Sequence, residues 1–224
     1  MARYIVFDIN ETLLDVAALD PFFTQLFDDA RTRSEWFLTL EENWLTATII
    51  DRYKPFGELA KAALAMVGRR RGREVSEEQQ QALAERLRRL PAHDDVIESL
   101  TLLRDNDFQL VALTNGTLEA LQQQLQSAAL TDYFEAIMSV DEVQRYKPAP
   151  EPYRMVAERL GIATGDMLMV AAHAWDIAGA ASAGCRTAFV TRPGKVLNPS
   201  GVQPDLKGEG LHEVARQIVA QDVG

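Results

Sequence analysis

Asp8 closes a short apolar run, Tyr4-Ile5-Val6-Phe7, and is followed by Ile9-Asn10-Glu11-Thr12 and the apolar pair Leu13-Leu14. A carboxylate at the end of a buried strand is placed to attack a substrate as a nucleophile when other polar groups converge on it. Three later segments carry such groups. They are Thr114-Asn115-Gly116-Thr117 after an apolar run, Lys147 within Arg145-Tyr146-Lys147-Pro148-Ala149-Pro150, and Asp176 within His173-Ala174-Trp175-Asp176. Taken singly, Lys147 and Asp176 also fit a structural ion pair, and Thr114-Asn115 a turn or helix N-cap.

The elements that must position these residues follow from the apolar pattern. Runs of strand character cover Tyr4–Phe7, 108–113, 136–140, Met167–Ala171 and 187–190. Helical patterns lie between them at 117–129 and Pro150–Leu160, the second stopped by Gly161. Strands alternating with helices predict an α/β fold, a doubly wound, mostly parallel sheet covered on both faces. In such sheets ligands sit at the carboxyl ends of the strands, where these polar groups fall.

The stretch 16–90 breaks the alternation. Its apolar residues, such as Phe22, Phe23 and Leu26, then Trp36, Phe37, Leu40 and Trp44, recur at helical spacing, with no convincing strand. An all-helical insertion is expected there, with residues 1–15 and 91–224 forming the core. Pro91 closes it, because proline cannot continue the helix expected over 77–90. Segment 193–210 is rich in Gly and Pro and reads as a loop before a last helix over 211–220.

With 224 residues the chain can bury roughly 70% of its unfolded surface and needs no metal or disulfide staple. A formal net charge of -10 argues against nucleic acid as partner. The one basic cluster, Arg69-Arg70-Arg71 with Arg73, reads as a solvated helix end. Cys185 is the only cysteine, which fits a reducing compartment and a buried structural thiol. Met1-Ala2-Arg3 leads directly into the first strand and no apolar stretch is long enough to span a bilayer, so the expectation is a cytoplasmic protein without a membrane partner.

The strand-end Asp, strand-end Thr, Lys and acidic loop, in that order and with the helical insertion after the first, resemble the four motifs of the haloacid dehalogenase (HAD) superfamily. The likeness covers nearly the whole chain and implies a Rossmann-like core with a helical cap. Finer features are similar to the type II L-2-haloacid dehalogenases: Ala174-Trp175-Asp176, the Thr-Asn-Gly turn, the Lys147 to Tyr153 spacing and the segment 51–56. Phosphatases of the superfamily carry a second Asp where this chain has Asn10, and a neutral amide cannot act as their general acid. An acidic residue expected four positions before Asp176, for Mg²⁺, is replaced by Ala172.

The resemblance implies metal-independent, cofactor-free hydrolysis of a short 2-halo carboxylic acid. Asp8 would displace halide and form an aspartyl ester that water then hydrolyses. Lys147 would keep Asp8 charged, since a cation ~4 Å away at an effective dielectric of ~20 is worth roughly 4 kcal/mol. Asp176 would pair with Lys147 and position water. Thr12, Thr114 and Asn115 would donate to carboxylates of nucleophile and substrate, and Trp175, Phe56 and Tyr153 would wall the pocket. Two departures stand out. Phe37 occupies the register of the cap arginine that binds substrate and halide, and Ala171-Ala172-His173 replaces Ser-Ser-Asn. If protonated, His173 would donate to halide or carboxylate; if neutral, it would only hold the loop. A Mg²⁺-dependent phosphatase and a catalytically weakened binding protein remain the alternatives, and the apolar surplus of the insertion is compatible with a homodimer.

Overall fold

The structure, a computed structural model, describes residues 3–222. Six parallel strands form one sheet: β1 (Tyr4–Phe7), β2 (Gln109–Thr114), β3 (Ala136–Ser139), β4 (Met167–Ala171), β5 (Arg186–Val190) and β6 (Leu206–Gly208). Their spatial order is β3-β2-β1-β4-β5-β6. The order reverses beside β1, so the carboxyl ends of β1, β2 and β4 open onto the switch-point crevice.

Both faces of the sheet are apolar, as a doubly covered parallel sheet requires. Side chains alternate along β1, so Ile5 and Phe7 join one buried cluster and Val6 the other. The first cluster is completed by Leu100 of α5 (Val96–Asp105), Leu121 of α6 (Leu118–Ser127) and Val214 of α9 (Leu211–Asp222). The second is completed by Val156 of α7 (Pro150–Leu160) and Ile177 of α8 (Ala174–Ser182). Burying each large aliphatic side chain contributes about 1.5–3 kcal/mol. Gly161 ends α7 at φ 68°, the left-handed conformation that glycine adopts without a Cβ clash.

Between β1 and α5 the regular elements are helices: α1 (Asp20–Phe27), α2 (Thr32–Ile49), α3 (Phe56–Arg70) and α4 (Glu77–Leu87). Its two crossings to the core lie side by side. Asp15 N donates to Pro91 O at 2.8 Å and His93 N to Leu13 O at 2.9 Å. A ladder of buried rings, Phe23, Trp36, Phe37 and Trp44, runs along α1 and α2 and ends on Tyr146 of the core.

Two sequence expectations are corrected. Helix α4 stops at Leu87, not Leu90, so three residues separate it from Pro91. The expected loop 193–210 contains β6, a three-residue edge strand too short to give a periodic signal. The basic cluster is exposed but paired: Arg70 Nη1 donates to Thr39 Oγ1 at 2.7 Å, Arg71 pairs with Glu35, and Arg73 donates to Leu26 O at 2.7 Å. These arginines tie the end of α3 to α1 and α2.

Candidate active site

Asp8 is the first residue past β1 and is 4% exposed. Lys147, in the loop entering α7, places Nζ 2.9 Å from Asp8 Oδ1 and 2.7 Å from Asp176 Oδ2. Lys147 and Asp176 are both fully buried. Thr12 donates its single hydroxyl proton to Asp8 Oδ2 at 2.6 Å and accepts from Ala172 N at 2.9 Å. That hydroxyl therefore orients Asp8 and has no second proton for a substrate.

Asn115 lies just past β2 and grips the backbone of Lys147. Its Oδ1 accepts from Lys147 N at 2.9 Å and its Nδ2 donates to Lys147 O at 3.3 Å. Thr114 Oγ1 accepts from Gly116 N at 2.9 Å, which closes the turn that starts α6. Tyr153, on the inner face of α7, donates its hydroxyl to Asp176 Oδ1 at 2.5 Å. Its ring is fully buried in the core, so it holds Asp176 where the sequence reading expected a pocket wall.

His173 lies between two carboxylates. Nδ1 is 3.1 Å from Asp8 Oδ2 and Nε2 is 2.9 Å from Glu11 Oε2. Ionised carboxylates only accept, so both ring nitrogens carry protons and the ring is an imidazolium. In that form His173 directs both protons at protein carboxylates. Phe37 and Trp175 flank the ring, with centroids 6.0 and 4.7 Å away. One face of α2 supplies this cover: Phe37 on His173, Glu41 accepting from Trp175 Nε1 at 2.9 Å, and Trp44 against Trp175. Residues four and three apart share a helix face.

Phe56 stacks on Trp44 and lines a separate cavity of about 250 Å³ with Asn10, Gly116 and Thr117. Sequence reasoning missed Glu11, Glu41 and Lys195. Glu11 sits at φ 65°, a region an L-residue seldom adopts. Lys195, in the loop after β5, pairs with Glu11 and stands 5.3 Å over the Phe37 ring. With Arg33 and Arg192 it lines a cavity of about 170 Å³ beside Glu11.

The charges are mutually dependent. Burial alone would raise the Asp8 carboxyl, but Lys147, His173 and the Thr12 hydroxyl hold it well below the usual carboxylate range. Burial, with the Asp8 charge, pushes Asp176 up against the pull of Lys147. Burial would lower Lys147, and its two carboxylates raise it instead. Burial would likewise lower His173, but hydrogen bonds to Asp8 and Glu11 raise it to about 9. Burial pushes the Cys185 thiol to about 12, in keeping with an inert structural thiol. The nucleophile candidate is thus ionised and fixed on three sides.

The chain matches the family model of haloacid dehalogenase-like hydrolases over residues 2–184. The (S)-2-haloacid dehalogenase of Pseudomonas sp. (strain YL) is 30% identical over 94% of this chain and 91% of its own. The (S)-2-haloacid dehalogenase 2 of Pseudomonas sp. (strain CBS-3) is 28% identical over 95% of this chain and 93% of its own. The solved L-2-haloacid dehalogenase from Xanthobacter autotrophicus superposes with a TM-score of 0.91 at 25% identity, covering 97% of this chain and 98% of that one. A buried strand-end aspartate paired with lysine, the parallel sheet and these likenesses agree: the chain belongs to the haloacid dehalogenase-like hydrolases.

Proposed function

We propose that the protein hydrolyses the carbon–halogen bond of a short 2-halo carboxylic acid through an ester on Asp8. The observation that carries this reading is the Asp8 carboxylate itself, buried yet held ionised, with Lys147 on one oxygen and His173 on the other. Asp8 attacks C2 in line, the carbon–halogen bond breaks, and halide leaves with the bonding pair. Water then adds to the Asp8 carbonyl carbon and frees a 2-hydroxy acid. Fixing the nucleophile in a closed, aromatic-walled site supplies orientation, a large share of such an acceleration. Lys195, 5.3 Å over the Phe37 ring, brings a cation to the side of the site where the resemblance places an arginine.

The donor set does not fit a Mg²⁺-phosphatase. Asn10 Oδ1 accepts from Gln124 Nε2 at 3.0 Å, the Ala172 side chain offers no oxygen to a metal, and the His173 imidazolium stands on Asp8 Oδ2. No step is therefore routed through a metal. Residues 16–90 form a cap, and the paired crossings near Asp15 and Pro91 are its hinges. Leu38 and Ile49, 63% and 81% exposed on α2, favour a homodimer through that cap, which sedimentation would test. Among the described residues no helix is long and apolar enough to cross a membrane.

A panel of 2-halo acids and phosphate esters, with and without EDTA, tests the reading. Halide release that survives EDTA and disappears in Asp8→Asn is expected. Phosphate release abolished by EDTA would overturn it, and no reaction on any substrate would favour a binding role.

A further inference from the structure

Glu11, His173 and Lys195 form a connected group of titratable side chains to which the steps above assign no proton transfer. The imidazolium is held between flat rings, with its plane within 10° of Phe37 and 23° of Trp175. The charged groups around it come from every neighbouring element: Asp8 after β1, Glu11 in the following loop, Glu41 on α2, Lys147 before α7 and Lys195 after β5. Asp176 is poorly placed to take a proton from water, because Lys147 and Tyr153 already engage its two oxygens. Besides Lys147, His173 is the titratable side chain hydrogen-bonded to Asp8 among the described residues.

We propose that His173 is the general base for hydrolysis of the Asp8 ester, with Glu11 as the positioning residue that keeps the other ring proton on Nε2. The proposal rests on the dehalogenase reading above. In the resting site Asp8 is anionic and His173 carries both protons. Alkylation of Asp8 removes its charge and with it the partner that keeps Nδ1 protonated. Burial, Lys147 and Lys195 then oppose the imidazolium, while Glu11 still accepts from Nε2. The Nδ1 proton leaves with halide, so one equivalent of acid is released at this point.

Neutral Nδ1 now faces the ester with a lone pair. As water adds to the Asp8 carbonyl carbon, its proton passes to Nδ1. The tetrahedral intermediate collapses by breaking the carbon–oxygen bond to the product, and the second water proton goes to the departing alkoxide. Asp8 carboxylate and the His173 imidazolium are restored. Formation of the ester thus switches on the base that removes it. Glu11 is held at φ 65°, a strained conformation where glycine would sit freely, and its carboxylate fixes the ring tautomer.

The test is rapid-quench kinetics with mass spectrometry of the Asp8 peptide, in wild type, His173→Asn and Glu11→Gln. Asparagine keeps a polar atom near Nδ1 but is no base. In His173→Asn, ester hydrolysis should slow about 100-fold or more, with halide release slowed far less, so an Asp8 ester accumulates. In Glu11→Gln, the pH limb of ester hydrolysis should move to lower pH because Nε2 loses its carboxylate. An unmoved limb would remove Glu11 from the proposal. Equal slowing of both steps in His173→Asn, or no slowing, would overturn the role of His173. Wild-type enzyme that releases no halide would instead overturn the dehalogenase reading and this proposal with it.

Discussion

Phe37 and His173 lie face to face, with ring centroids 6.0 Å apart and planes inclined by 10°. An aromatic face is attracted to a cation by its quadrupole, so the pair couples α2 to the charge state of the site. Phe37→Ala deletes a ring that is 6% exposed and should cost about 3–5 kcal/mol in urea unfolding. Phe37→Arg should destabilise as well, and more at neutral than at alkaline pH, because the guanidinium then meets an imidazolium.

Lys147 is the sole ammonium between two buried carboxylates among the described residues. Lys147→Met removes the cation paired with Asp176 and one of the two on Asp8, and should destabilise by about 3–5 kcal/mol, with loss of halide release. Adding Asp176→Asn to that variant should restore part of the stability and none of the turnover. A double-mutant cycle by chemical denaturation measures the coupling.

Gly179 on α8 packs directly against the loop that carries Lys147. A Cβ there would meet Pro148 Cβ at 2.5 Å and its carbonyl oxygen at 2.6 Å, and backbone cannot yield as a side-chain tip can. Gly179→Ala should lower both Tm and kcat, since the loop must move. Gly57→Ala on α3, with nothing within 4 Å of its added Cβ, should gain about 0.5–1 kcal/mol and serves as the control.

The pH dependence of stability has a definite sign. His173 is raised from 6.5 to about 9, so its contribution is complete below 6.5 and is lost as pH rises through about 9. Asp8 and Glu11 are lowered, so their share is present above the ordinary carboxylate range and lost in acid. The unfolding free energy of wild type over His173→Asn should shrink by about 3 kcal/mol between about pH 6 and about pH 10. A gap that widens over that range would contradict the ion-paired imidazolium.

Much of this arrangement is legible in the residues. Short apolar runs located five strands, and topology then gathers Asp8, Lys147 and Asp176 without any contact information. Strand β6 was hidden because its three residues are too few for their alternation to stand out. Glu11 gave no signal, since a glutamate at φ 65° stands where composition suggests glycine. Lys195 reaches the site from a Gly- and Pro-rich segment 184 positions beyond Glu11, a pairing that only the folded chain reveals. Thr12 donates to the nucleophile carboxylate as the sequence implies, whereas the commitment of the Tyr153 hydroxyl to Asp176 is visible only in the folded chain.

A single turnover in H₂¹⁸O with enzyme in excess over 2-halo acid tests covalent attack by Asp8 most directly. Water adds to the Asp8 carbonyl carbon, so the account predicts one ¹⁸O in the Asp8 peptide and none in the new hydroxyl of the product. Label in the product hydroxyl after the first turnover, with Asp8 unlabelled, would mean that water displaces halide directly, and would contradict it.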